Sequence, residues 1–237
     1  MTVSVVVPVK DEVDNVAALA REIAVALTHE PAYEIIFVDD GSTDGTAEKL
    51  TALKREIAHF RALRHDRNLG QSRGIHTGIQ AAKGDIIATL DGDGQNDPAD
   101  LPMLLGRLRA DPSLGMVSGI RVKRRDTASR RIASKLANRF RGAMLGDGAT
   151  DTGCGIKVFY RAAFQDLPYF DHMHRYLIAL VQRHGWKVGY APVNHRPRVA
   201  GRSKYTNLGR TLVSFHDMLG VRWLQRRHGG RTKIGEL

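Results

Sequence analysis

Short apolar runs alternate with stretches of helical periodicity along the first half of the chain. Val3–Val9 is almost wholly apolar and reads as a buried strand. Between Asp14 and Thr28, residues Val16, Leu19, Ala20, Ile23 and Leu27 recur at helical spacing. Glu34–Asp39 predicts a second strand, and a helix follows to about Ala58 with Asp44 or Thr46 as its cap. Phe60–His65 is a short third strand and Gly70–Ala82 a glycine-containing helix. Asp85–Leu90 is a fourth strand, Pro98–Ala110 a helix with Leu101, Leu104, Leu105 and Leu108 inward, and Met116–Ile120 a fifth strand. This rhythm predicts an α/β fold: a mostly parallel central sheet flanked by helices.

The pattern changes after residue 120. Thr127–Met144 predicts a basic amphipathic helix with Ile132, Leu136, Phe140 and Met144 on one face. Gly153–Arg161 reads as a strand, His174–His184 as a helix, Lys187–Val193 as a late strand and Arg196–Tyr205 as a basic loop. Leu208–Arg227 is a second basic amphipathic helix, with Leu212, Phe215, Leu219, Trp223 and Leu224 available for one face. The division expected is a main domain over 1–205 and an amphipathic helix with a tail over 206–237.

Composition adds little until charge is mapped. At 237 residues, 42% hydrophobic and 26% charged, the chain is an ordinary globular one, which excludes disordered and low-complexity classes. One cysteine, Cys154, excludes a disulfide scaffold. No run of eighteen apolar residues exists to form a spanning helix, and Val3–Val9 reads as a strand rather than a signal peptide. The net charge of +11 is concentrated. Residues 121–141 hold nine basic side chains against Asp126, and residues 196–233 hold ten against Asp217. The remainder is net acidic, so two basic patches sit on a slightly acidic body. Such patches attract phosphate groups, an anionic membrane surface or nucleic acid. A nucleic-acid module is disfavoured because the aromatic content is 6%, with little interleaving in the basic windows.

Ligands of parallel α/β sheets bind at the carboxyl ends of strands. Here those ends carry acids: Lys10-Asp11-Glu12 after the first strand, Asp39-Asp40-Gly41-Ser42 after the second, and Asp91-Gly92-Asp93-Gly94-Gln95 after the fourth. Each alone reads as a turn or a helix cap. Together they crowd carboxylates at one edge, which is costly without a positive partner. A divalent metal, Mg²⁺ or Mn²⁺, bound through the Asp91-Gly92-Asp93 spacing and carrying substrate phosphates, resolves that crowding.

These same residues carry a family resemblance. Val7-Pro8-Val9-Lys10-Asp11-Glu12, Val38-Asp39-Asp40-Gly41-Ser42-Thr43-Asp44-Gly45-Thr46, Asn68-Leu69-Gly70-Gln71-Ser72-Arg73-Gly74 and Asp91 through Pro98 resemble, in order and spacing, the family-2 inverting glycosyltransferases of GT-A fold. Asp151-Thr152-Gly153-Cys154-Gly155, Met173-His174-Arg175 and Arg198 through Tyr205 resemble the polyprenyl-phosphate branch, the dolichyl-phosphate mannose synthase-like enzymes. The resemblance covers roughly residues 3–227. It implies that Pro8, Lys10, Glu12, Asp40 and Arg73 line the nucleotide-sugar pocket, that Asp39 supports the loop, and that Asp91 holds the sugar-phosphate side. It implies metal ligation by Asp91, Asp93 and Gln95. The family usually has Asn where this chain has Asp11.

The reaction this implies moves a sugar from a nucleotide-diphosphate donor, GDP-mannose favoured, to a polyprenyl phosphate. Arg121, at the end of the fifth strand, would stabilise the leaving diphosphate. A phosphate acceptor is already anionic and needs cations to place it, for which Arg121, Arg131, Arg198, Arg202, Ser203 and Lys204 are the candidates. A hydroxyl acceptor would need a base, and Asp151 is the candidate for that soluble alternative. A nucleotidyltransferase is less favoured, because Val7–Glu12 has no glycine to wrap a triphosphate. The expected location is peripheral, on the cytoplasmic face of a membrane, with Phe215, Leu219 and Trp223 inserting shallowly. Oligomeric state is left open.

Overall fold

The computed structural model describes residues 1–122, 139–197 and 207–227, with side chains from Phe215 onward in the last segment. Its strands are β1 (Val3–Val9), β2 (Tyr33–Asp39), β3 (Phe60–Arg64), β4 (Ile86–Thr89), β5 (Leu114–Arg121), β6 (Lys157–Tyr160) and β7 (Lys187–Val193). The helices are α1 (Val16–Ala26), α2 (Thr46–Glu56), α3 (Gln71–Ala81), α4 (Leu101–Ala110), α5 (residues 139–145), α6 (Leu177–Arg183) and α7 (Asn207–Arg226).

One sheet of order β3-β2-β1-β4-β6-β5-β7 runs through the molecule. All pairings are parallel except those of β6, which lies antiparallel between β4 and β5. The seven residues of β1 are all buried, which explains a run that is apolar but for Ser4, whose hydroxyl donates to Glu34: a strand covered on both faces has no solvent side. Val3, Val5, Val7 and Val9 face a core shared with Leu19 and Ile23 of α1, Leu50 and Leu53 of α2, and four leucines of α4. Val6, Ile36 and Val38 face the opposite core, with Ile75 and Ile79 of α3, the apolar residues of α6, and Met218 and Val221 of α7. The α3 helix lies close on the sheet because Gly78 and Gly74 stand over Val6 and Pro8. A Cβ at Gly74 would come within 2.9 Å of the Pro8 Cβ.

Three expectations are corrected. Of the strand expected over Gly153–Arg161, only Lys157–Tyr160 pairs; Gly153–Ile156 is a loop passing under the end of β4. The helix expected over His174–His184 is a 3₁₀ turn, Met173–Arg175, followed by the shorter α6. On α7, Leu224 packs with the core beside Met218 and Val221, while Phe215, Leu219 and Trp223 form a separate exposed row. The expected helix face of Thr127–Met144 lies partly outside the described residues. Within them, Phe140 is exposed and stacks on Phe215 with centroids 6.5 Å apart, while Met144 packs inward. No helix among the described residues is long and apolar enough to cross a membrane.

Candidate active site

The carboxyl ends of β1, β2, β4, β5 and β7 and the start of the antiparallel β6 share one edge of the sheet. Each contributes a piece of the site.

At β1 and β2, two loops are stitched together. Lys10 Nζ donates to the Gly41 carbonyl at 2.6 Å, and the Asp11 amide donates to Ser42 Oγ at 2.8 Å. The Asp11 carboxylate accepts the Thr43 amide at 2.9 Å, and the Glu12 amide donates to Thr46 Oγ1 at 2.9 Å. Asp11 has φ of 49°, a left-handed conformation that Asp and Asn tolerate. The departure from the family's usual Asn therefore keeps the backbone geometry. Pro8 is buried in β1 opposite Val38. Asp44 does not occupy the cap position of α2, which is Gly45; its carboxylate accepts the Thr46 amide at 3.0 Å.

Asp39 accepts the Ser42 amide at 2.9 Å and lies 3.3 Å from Arg64 Nε. Asp40 is almost wholly buried, and its carboxylate accepts the amides of Leu69 and Gly70, both at 2.8 Å. His65 Nδ1 stands 2.8 Å from the same carboxylate, and His65 Nε2 2.9 Å from Thr77 Oγ1. Asp40 thus anchors the entry to α3. That entry sets three side chains. Gln71 Nε2 donates to Asp91 Oδ1 at 2.7 Å, Ser72 Oγ pairs with His174 Nδ1 at 2.7 Å, and the Arg73 guanidinium lies 3.6 Å above the Tyr169 ring.

Asp91 is the electrostatic centre. Its amide donates to Asn96 Oδ1 at 2.9 Å. Burial and the neighbouring Asp93 carboxylate push it up to about 6, against the pull of Lys157, Arg121 and the Gln71 hydrogen bond. Asp93 accepts the Gln95 amide at 3.1 Å, closing the turn. The Gln95 side chain reaches the Arg196 carbonyl at 3.4 Å, and the Arg196 amide returns a bond to Gln95 O at 2.9 Å. The segment leaving β7 is therefore tied to the Asp91–Gln95 turn.

On the other side, Arg121 holds Asp151 in a two-pronged ion pair, Nε to Oδ2 at 2.8 Å and Nη2 to Oδ1 at 2.6 Å. The Arg121 amide adds a bond to Oδ2 at 3.1 Å. Both oxygens of Asp151 are engaged. Arg131, Arg198, Arg202, Ser203 and Lys204 lie outside the described residues.

Sequence reasoning missed two groups. Lys157 is 95% buried at the head of β6 and donates to the Cys154 carbonyl. Burial holds its ammonium below the usual lysine range, and the neighbouring Cys154, Asp91 and Asp151 offset this only in part. A lysine inside an apolar run was the available signal. Gln71 was quoted only as part of a motif, although a polar residue at the first position of a helix facing a strand end is well placed to reach it. Cys154 is fully buried, as expected of a small packing residue.

Asp91 and Asp93 supply hard oxygen donors on one turn, and Asp91 carries a charge that its neighbours only partly offset. That donor set fits a divalent cation whose remaining positions come from phosphate oxygens or water. Among the described residues, no cluster of three or more His, Cys, Asp or Glu side chains offers a complete cage.

Comparison with known proteins fits this architecture. Residues 4–168 match the family model described as glycosyl transferase family 2. A dodecaprenyl-phosphate galacturonate synthase of Rhizobium johnstonii is 35% identical over 95% of this chain and 68% of its own length. An undecaprenyl-phosphate 4-deoxy-4-formamido-L-arabinose transferase of Klebsiella pneumoniae is 34% identical over 86% of this chain and 62% of its own. The chain thus matches roughly two thirds of each of these relatives. Among solved structures, glucosyl-3-phosphoglycerate synthase from Mycobacterium tuberculosis, in complex with Mn²⁺, UDP-glucose and glycerol 3-phosphate, superposes with a TM-score of 0.65 at 18% identity. The match covers 94% of this chain and 79% of that one. A mannosyltransferase from Pyrobaculum calidifontis, in complex with GDP-mannose and Mn²⁺, gives 0.65 at 18%, covering 98% and 65%. These are GT-A enzymes, and the likeness establishes the fold.

Proposed function

The chain belongs to glycosyl transferase family 2, and from that premise we propose that it transfers a sugar, with inversion, from a nucleotide-diphosphate sugar to a polyprenyl phosphate at a membrane surface. The observation that carries this reading is the Arg121–Asp151 pair beside Asp91. In this reading the pair supplies a fixed cation, rather than a free base, on the acceptor side. A phosphate acceptor needs a cation there and no base, because its oxygens are anionic near neutral pH. A hydroxyl acceptor would need a carboxylate free to turn toward it and take its proton, whereas three of the roughly four lone-pair sites of Asp151 already accept from Arg121.

In this reading Lys10, Asp11, Glu12, Asp39 and Asp40 shape the nucleotide pocket between the first two loops, largely by fixing its backbone. Arg73, stacked on Tyr169, stands beside it. Asp91 and Asp93 would hold Mg²⁺ or Mn²⁺, and Gln95 fixes their turn through its backbone amide. When bound, the cation supplies Lewis-acid neutralisation of the diphosphate leaving group. Gln71 and Lys157 keep Asp91 oriented and its charge compensated. Arg196 is tied to Gln95, and in the sequence it stands two residues before the basic stretch Arg198–Lys204, the proposed acceptor-phosphate cations.

Phe140, Phe215, Leu219 and Trp223 form an exposed apolar row, 42% to 57% accessible, flanked by basic residues. That combination suits a shallow interfacial anchor on the cytoplasmic side of a membrane holding the lipid acceptor.

A pH-dependent metal effect follows from Asp91. Between about pH 4 and about pH 6 the unfolded chain ionises this carboxyl while the folded chain keeps it protonated. The folded state binds more protons in that window, so this group's contribution to stability falls as pH rises through it, and the loss persists above pH 6. Mn²⁺ binds the ionised form. It is expected to raise the thermal midpoint above pH 6 and to have little effect near pH 5, as read by melting with and without metal at the two pH values. An equal metal effect at both would contradict the assignment of Asp91.

The reading itself is tested with purified protein, Mg²⁺ or Mn²⁺, short-chain polyprenyl phosphate and a donor panel of GDP-mannose and UDP-sugars. One donor is expected to give a lipid-phosphate-sugar product that Asp93→Ala abolishes. Metal-dependent donor hydrolysis without transfer to lipid phosphate would overturn it.

A further inference from the structure

We infer that a second phosphate-binding site, separate from the catalytic edge, lies between α6, α7 and the end of α5, and that it takes the headgroup of an anionic phospholipid. A cavity of about 330 Å³ opens there, lined by Arg183, Arg222, Arg226, Gln182, Gln225 and the Leu145–Gly146 turn. That volume is at the lower end of small-ligand sites.

The lining holds three guanidiniums and no carboxylate. Arg183 is spent partly on structure, since its Nε donates to the Leu224 carbonyl at 2.8 Å. Arg222 and Arg226 have no ion-pair partner among the described residues, whereas most arginines of the first half and of the catalytic edge are paired. Helix ends account for only part of this charge. The C-termini of α5, α6 and α7 converge on the cavity, each worth roughly −0.5, leaving an excess of about +1.5. That excess calls for an anion.

The choice of a lipid anion comes from the neighbouring row. Arg222 and Arg226 are one helical turn apart, and each lies three residues from Leu219 or Trp223, so the basic and apolar rows run side by side on α7. Leu219 and Trp223 are exposed, and Arg227 stands 5.9 Å over the Trp223 ring. A phosphodiester seated among the arginines would leave its acyl chains along Phe215, Leu219 and Trp223. This inference rests on the membrane-surface reading above, and it adds a specific lipid site distinct from the acceptor's.

Flotation of the full chain with phosphatidylcholine vesicles, with and without phosphatidylglycerol, tests it. Vesicles made equally anionic with oleate provide the comparison of headgroups. Wild type is expected to bind phosphatidylglycerol vesicles more tightly than oleate vesicles of the same surface charge. The double variant Arg222→Gln with Arg226→Gln is expected to lose that preference and about 30-fold of the affinity, from ~1 kcal/mol per basic residue. Lys54→Gln with Arg55→Gln, on exposed α2, removes the same charge elsewhere and is expected to bind as wild type. Thermal midpoints check that both variants fold. Wild-type binding that the Arg222 and Arg226 changes leave intact, or equal binding to phosphatidylglycerol and oleate, would overturn the site while leaving membrane docking in place. Absence of wild-type binding to any vesicle would overturn the membrane reading itself. Protection by inorganic phosphate alone, with no vesicle binding, would overturn the lipid assignment.

Discussion

Arg121→Ala is expected to destabilise the fold by about 3–5 kcal/mol and to remove nearly all transferase activity. The two effects have one origin. The Arg121 and Asp151 side chains are 15% and 7% exposed, and the guanidinium meets both carboxylate oxygens. Truncating it leaves a buried carboxylate without its partner, which costs more than the pair contributes. The same guanidinium also lies within the field of Asp91, where it helps hold that carboxylate ionised. A double change, Arg121→Met with Asp151→Met, separates the effects. Removing both charges is expected to restore most of the urea-unfolding stability, because a buried pair replaced by apolar side chains is close to neutral. Activity is not expected to return. Stability and activity recovering together would mean that the guanidinium has no role beyond satisfying Asp151.

Gly155→Ala is expected to lower kcat about 100-fold while costing only about 1–3 kcal/mol of stability. Gly155 lies in the loop before β6, directly against the Asp91–Gln95 turn. An added Cβ would fall within 2.6 Å of Asn96 Oδ1 and closer still to the Asp91 carboxylate. Neither neighbour can give way freely. Asn96 is 2% exposed and holds the Asp91 amide, and Asp91 is held by Gln71. A displacement of about 1 Å in a reacting group costs on the order of a hundredfold in rate. Gly106→Ala is the control. Gly106 sits in α4 with open space around its would-be Cβ, so alanine there is expected to add up to about 1 kcal/mol of stability and to leave kcat unchanged. Equal activity in the two variants would show that the Asp91 position is not critical.

The sheet and most helices were legible because their signals are local. The leucines of α4 and the valines of β1 report burial by spacing and by continuity. Asp91, Asp93 and Asp39 were legible because acids at strand ends demand compensation. What the sequence hid is non-local. The run from Cys154 to Tyr160 has no period, so nothing in it distinguishes the loop that carries Gly155 from the strand that follows, nor gives the strand's antiparallel direction. The Arg121–Asp151 pair joins residues 30 apart, so no local pattern reports that the candidate base accepts from a guanidinium. Asp40 reads as a pocket residue, and nothing local shows that its carboxylate accepts two backbone amides beside His65. The α7 helix offered five apolar positions for one face, and only tertiary packing sorts Leu224 inward and Phe215, Leu219 and Trp223 outward.

The most direct test of the central claim compares two acceptors that differ only in their head: a short-chain polyprenyl phosphate and the corresponding polyprenol, each with the donor the enzyme uses and Mn²⁺. The account predicts product from the phosphate alone, a phosphodiester with the sugar's anomeric centre inverted relative to the donor. Product from the polyprenol, with none from the phosphate, would contradict it and return Asp151 to the role of base.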